Sequence, residues 1–136
     1  MRLILDTNCY ISFLNQRNLE QYKKMNILWE SVSRLEHEVI LTSHNISEIF
    51  FVLKSIYIVP QEQINKLIKD LISNPGVVYE PAYYPEIVLR IWPKNIKDYG
   101  DAVLASACQF LNAQIVTFDK DFIREIRKLN ILHYSI

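Results

Sequence analysis

Residues 2–8 read R-L-I-L-D-T-N, a short, mainly apolar run cut off by a carboxylate at Asp6. The same grammar returns near the other end. Residues 114–119 read Q-I-V-T-F-D, an apolar run stopped by Asp119. Two more β-like runs lie between them, Val39–Leu41 and Val77–Tyr79. The segments that separate the runs have helical spacing. Asn8–Leu14 can align Tyr10, Ile11 and Leu14, and Leu19–His37 repeats Tyr22, Met25, Leu28, Trp29, Val32 and Leu35 at steps of three and four. Ser43 or Asn45 can cap a helix reaching Tyr57, and Pro60 suits the first turn of another, striped by Ile64, Leu67, Ile68 and Leu71. Asn74-Pro75-Gly76 is a turn, Pro81 or Pro85 opens a helix toward Pro93, and Ala102–Leu111 and Phe122–Leu129 are helical. Ile131–Tyr134 predicts a last strand. Strands alternating with helices predict an α/β fold, with a short parallel sheet of four to five strands flanked by helices. Its 136 residues suit one domain over residues 1–136.

In an open parallel sheet, sites form beyond the carboxyl ends of the strands. Four acids fall at such crossings or in the first turns of helices: Asp6, Glu48, Asp101 and Asp119. Each has an alternative reading. Asp6 can be a helix cap, and Glu48 a capping partner of the Ser43–Asn45 region. Asp98 and Asp101 precede a small-residue helix; one of them can cap it, which leaves the other to explain. Either Asp119 or Asp121 can cap the last helix. Capping predicts Ser, Thr or Asn at these crossings just as readily, so four acids in order carry more weight than any one of them. Gathered at one sheet edge they would repel unless a cation neutralised them, and hard cations such as Mg²⁺ and Mn²⁺ take oxygen ligands.

The composition narrows the alternatives. Hydrophobic residues make up 50% and charged residues 22%, ordinary for a globular protein. Lys+Arg and Asp+Glu are 15 each, so a general electrostatic grip on nucleic acid is not expected and any grip must come from a local patch. Two glycines in the whole chain leave no phosphate-cradling loop, which excludes nucleotide-binding readings that depend on one. Cys9 and Cys108 match no zinc spacing and read as buried thiols of a reducing compartment. No apolar run approaches membrane-helix length, and Asp6 leaves no room for a signal peptide, so a cytoplasmic protein with no membrane partner is expected. His37, His44 and His133 share no metal-like spacing, and the aromatic residues mostly fall on apolar stripes expected in the core.

Taken together, L-I-L-D-T-N, S-E-I, D-A-V-L-A-S-A and I-V-T-F-D-K-D-F resemble the motifs of the PIN-domain family, particularly its VapC-like toxins of toxin–antitoxin pairs. The resemblance spans essentially the whole chain. It implies a metal-dependent ribonuclease that hydrolyses RNA phosphodiester bonds with Mg²⁺ or Mn²⁺. Asp6, Glu48, Asp101 and Asp119 would be its catalytic acids, with Asp6, Asp101 and Asp119 on the metal. Asn8 and Thr117 would support them, Asp98 would be an extra acid, and Asp121 would serve as a cap. Phe118 stands where many relatives carry a polar or basic residue. Lys54, Arg90 and Lys94, together with Lys97, are the candidates for RNA phosphates. A small antitoxin protein and a homodimer are the expected partners. A non-toxin PIN nuclease in RNA processing and a non-catalytic partner-binding module are the alternatives.

Overall fold

The computed structural model describes residues 1–136 and shows a four-stranded, fully parallel sheet between two layers of helix. The order along the chain is β1 (Arg2–Leu5), α1 (Thr7–Asn15), α2 (Leu19–Ser33), β2 (Glu38–Thr42), α3 (Ser43–Ser55), α4 (Gln61–Ser73), β3 (Val77–Glu80), α5 (Pro85–Ile91), α6 (Tyr99–Leu111), β4 (Gln114–Val116) and α7 (Lys120–Lys128). In space the strands run β3-β2-β1-β4. Leu3 pairs with Val39 on one side and with Gln114 on the other, and Leu5 pairs with Val116.

Successive strand residues point to opposite faces, and each face is apolar. Leu3, Leu5, Val39, Leu41 and Val116 pack with Met25, Leu28, Ile49 and Leu53 under α1–α4. Ile4, Ile40 and Ile115 pack with Ala102, Ala105, Phe122 and Ile126 under α5–α7. The run Ala102–Cys108 is wholly buried, and its small side chains bring α6 close to the sheet. No helix is long and apolar enough to cross a membrane.

The expected strand at Ile131–Tyr134 is reduced to one parallel bridge, Ile115 to His133. Its backbone bonds run from Ile115 N–H to Leu132 O and from Tyr134 N–H to Ile115 O. With Ile131 buried, Leu132 exposed and Tyr134 packed against His37, the segment anchors by side chains at its two ends rather than extending the sheet. The sheet therefore has four strands, the lower bound of the expectation. The β4 strand also stops at Val116, which leaves Thr117 and Phe118 free of the ladder.

This strand order places a topological switch between β1 and β4. Successive crossovers from β1 build β2 and β3 to one side, and the chain then returns across the sheet to lay β4 on the other. Crevices open at the carboxyl ends of strands where the order reverses. Asp6 ends β1 there, and the Thr117–Asp119 segment leaves β4 beside it.

Candidate functional site

Asp6 sits at the N-cap position of α1, but its side chain makes no capping bond. It is almost wholly buried and accepts a hydrogen bond from the Thr117 hydroxyl, 2.7 Å from Oδ2. Burial pushes its pKa up, against hydrogen bonds from Thr117 and the Asn8 backbone, and the charges of Glu48 and Asp119 push it the same way. Thr117 Oγ1 also accepts from the Asp119 N–H at 3.0 Å. One hydroxyl thus ties the ends of β1 and β4 together.

Glu48 reaches the crevice from the second turn of α3, and a buried relay holds it. Thr42 caps α3 in a reciprocal box with Asn45, so neither Ser43 nor Asn45 is the cap itself. Asn45 Nδ2 donates to Leu5 O at 3.0 Å and to Thr7 Oγ1 at 3.2 Å. Thr7 Oγ1 in turn donates to Glu48 Oε1 at 2.8 Å. His44 Nε2 lies 2.9 Å from the same oxygen but off the hydrogen-bonding line, so this buried nitrogen has no aligned partner. Burial raises the Glu48 pKa, yet His44 and Thr7 outweigh it and the net displacement is downward. Gly100 is needed beside this group: a Cβ there would sit 2.9 Å from His44 Nε2.

The ambiguous caps resolve. Asp98 caps α6, its Oδ1 accepting the Asp101 N–H at 2.9 Å, which leaves the Asp101 side chain without a capping task. Asp119 caps α7 through the N–H groups of Asp121 and Phe122, both on Oδ1. The expected cap at Asp121 is therefore wrong; that residue pairs with Arg124 one turn on. Asp101 is the most perturbed acid of the group. Burial first, then the charges of Asp6, Asp98, Asp119 and Glu125, raise its pKa to about 8.

An open, wholly polar cleft of about 510 Å³ runs past Asp101 and Asp119. Lys94, Lys97, Arg124 and Lys128 line it, together with Asp98, Asp121 and Glu125. Lys94 and Lys97 are thus where the sequence suggested, but Arg90 and Lys54 are not. Arg90 is exposed outside the cleft, and Lys54 lies over the Phe50 ring, 5.5 Å from its centroid. Sequence reasoning also missed His44, Glu125, Arg124 and Lys128. His44 and Glu48 are four apart on one helix, as are Arg124 and Lys128, so helical spacing carried a signal for both pairs. Glu125 had none: it enters through a tertiary hydrogen bond, its Oε2 accepting the Lys97 N–H at 3.0 Å.

The PIN domain profile matches residues 3–128. The chain belongs to the PIN domain family. No curated protein matches it in sequence. Among solved structures it resembles VapBC2 from Rickettsia felis bound to a DNA fragment from their promoter, at 21% identity and a TM-score of 0.68, covering 99% of this chain and 98% of that one. It resembles VapBC-1 from nontypeable Haemophilus influenzae at 20% identity and a TM-score of 0.69, with the same coverage of both chains. It also resembles FitAB bound to the IR36 DNA fragment, at 16% identity and a TM-score of 0.63, covering 98% of this chain and 94% of that one. PIN domain nucleases generally use divalent metal ions. The oxygen-only donor set at this crevice suits such an ion chemically. No three acidic, histidine or cysteine side chains converge as a ready-made cage.

Proposed function

We propose that this chain is a divalent-metal-dependent ribonuclease and the toxin of a type II toxin–antitoxin pair. One observation carries the reading. Carboxylates from four separate elements line the switch-point crevice within reach of one another's charge: Glu48 and Asp119 act on Asp6, and burial with the charges of Asp6, Asp98, Asp119 and Glu125 raises the Asp101 pKa to about 8. Acids packed so that burial and neighbouring charge hold Asp6 and Asp101 above the ordinary carboxylate value destabilise a fold at neutral pH; a bound cation is the compensation that chemistry offers.

In this reading Asp6, Asp101 and Asp119 would hold Mg²⁺ or Mn²⁺, which when bound would supply positive charge against the phosphoryl and leaving oxygens. The chain's own groups do the rest. Thr117 fixes Asp6 and Asp119 against each other. Glu48 stays ionised at neutral pH, and Thr7 and His44 both engage Oε1, leaving Oε2 to take a proton from the attacking water. Lys94, Lys97, Arg124 and Lys128 receive backbone phosphates in the cleft without reading sequence. Asp98 acts by capping α6 and Asn8 through its backbone, both holding acids in place.

The toxin part rests on surface chemistry and on the neighbours, which are complexes of the VapBC and FitAB kind. Phe51, Ile56 and Ile58 are exposed about the end of α3, as are Leu19 and Ile27 on α2. Apolar faces of this kind suit an amphipathic antitoxin segment or a second copy of the chain. The test is cleavage of labelled RNA with Mg²⁺ or Mn²⁺, beside EDTA. Metal-dependent cleavage supports the reading. Metal binding absent by calorimetry, with no RNA cut, favours a partner-binding module instead.

A further inference from the structure

A smaller concavity, of about 290 Å³, adjoins the crevice where α3, the segment after β3 and the first turn of α6 come together. Pro81 and Val103 give it apolar walls and Ser47 a hydroxyl. His44 joins it to the acids, its Nε2 lying 2.9 Å from Glu48 Oε1. No Lys, Arg, Asp or Glu lines it, in contrast to the cleft beside Asp101. Tyr83 and Tyr99 complete the lining. Their hydroxyls hydrogen-bond to each other at 2.6 Å, although Tyr83 precedes α5 and Tyr99 begins α6. The Trp92 ring stands nearly perpendicular to Tyr99, with centroids 5.2 Å apart. Trp92 is itself fixed, its Nε1–H donating to Lys97 O at 3.1 Å. Braced in this way, both tyrosines nevertheless stay open to solvent, Tyr83 at 51% and Tyr99 at 41% exposure.

We propose that Tyr83 and Tyr99 form a stacking platform for one RNA base beside the scissile phosphate, and that it accepts any of the four bases. The inference rests on the nuclease reading above and adds a base-binding site to it. Position favours a base as the occupant. Tyr99 lies between Asp98, which caps α6, and Gly100, which sits against His44. A strand whose phosphate lies at the acids therefore brings a neighbouring base to the platform. Chemistry favours a base as well. An aromatic site without a Lys or Arg gives a phosphate no cation to pair with, while every base has a π-face to lay on a phenol ring. Unpaired RNA bases stack on aromatic side chains in this manner. The hydroxyl pair holds the two rings before RNA arrives, so little side-chain freedom is lost on binding. Phosphates stay in the basic cleft, where Lys97 both lines the wall and anchors Trp92. The cleft thus takes backbone and the platform takes a base.

The test is binding of a labelled hexaribonucleotide, and of the same strand with one abasic site moved through its positions, by anisotropy in EDTA so that no strand is cut. The expected result is one position, or two adjacent ones, where losing the base weakens binding at least about fivefold, with all four bases there bound within about threefold of one another. Tyr83→Ala and Tyr99→Ala should each weaken the intact strand by a similar factor and remove the abasic penalty. Their melting temperature, salt dependence and sedimentation coefficient should stay close to wild type. Tyr83→Phe and Tyr99→Phe keep the rings and should bind within about threefold of wild type. No abasic penalty at any position, a penalty that survives both alanine variants, an equal loss in the phenylalanine variants, or no binding at all would each overturn the proposal. So would a changed sedimentation coefficient in the alanine variants, which would place the tyrosines between copies of the chain. Binding needs no chemistry, so the two claims separate. An abasic penalty without cleavage leaves the platform standing and removes the nuclease; cleavage without a penalty does the reverse.

Discussion

Replacing Asp101 by Asn should make the metal-free protein more stable at pH 8. In the folded chain Asp101 holds its proton up to about pH 8, whereas the ordinary value is 3.8. Between those values the folded state binds a proton that the unfolded state has lost. Stability from this group is therefore complete below about pH 4 and drains away as pH rises toward 8. The full gap corresponds to a ceiling of about 6 kcal/mol. Asp101 is only half-buried, and solvent screening of its neighbours' charges brings the expected effect nearer to about 2 kcal/mol. Asparagine keeps the shape and the backbone N–H that Asp98 accepts, so the cap survives. Urea denaturation in EDTA should show the variant ahead by about 2 kcal/mol at pH 8 and by less than about 1 kcal/mol at pH 5. Millimolar Mg²⁺ should then stabilise the wild type more than the variant, since only the wild type offers the full acid set. A variant no more stable than wild type at pH 8 would refute the claim that these acids repel one another uncompensated.

Asn45→Ala removes four buried hydrogen bonds, to Thr42 N, Thr42 Oγ1, Leu5 O and Thr7 Oγ1, and should cost about 3 kcal/mol in the same assay. Thr117→Val cuts the tie between Asp6 and Asp119; it should cost about 1–2 kcal/mol of stability while reducing RNA cleavage at least tenfold. Gly100→Ala should displace His44 from Glu48 and move the acidic limb of the cleavage profile to higher pH, because the imidazole that lowers the Glu48 pKa is then farther away. Charge reversal at Lys97 and Arg124 should flatten the salt dependence of RNA binding, by roughly one unit of slope for each phosphate no longer neutralised, whereas reversal at Arg90 should not.

Much of the site was visible in the chain because position along a strand is a one-dimensional property. L-I-L-D and I-V-T-F-D both announce an acid at a carboxyl end, and the sheet delivers both to the same place. What the chain could not declare was which acid commits its oxygens to a helix end. Asp6, Asp98, Asp101, Asp119 and Asp121 all looked alike as caps, and only the folded backbone separates the bound ones from the free ones. The last strand failed for a related reason. Ile131–Tyr134 has strand composition, but a single neighbour at Ile115 gives it one bridge. The basic residues were hardest. Lys94 and Lys97 are near Asp101 in sequence, while Arg124 and Lys128 arrive beside it only because α7 packs against the same edge. The hydrogen bond from the Ser12 hydroxyl to Gln21 Oε1 likewise emerges only when α1 and α2 are set side by side.

The most direct test of the central claim is an RNA-cleavage series over Asp6→Asn, Glu48→Gln, Asp101→Asn and Asp119→Asn, with Arg2→Ala as a control far from the crevice. Each of the four should lose at least about a hundredfold in rate with Mg²⁺ or Mn²⁺ while keeping a wild-type circular dichroism spectrum, and the control should cut normally. Cleavage that survives in Asp6→Asn and Asp101→Asn together would place the chemistry elsewhere and contradict the account.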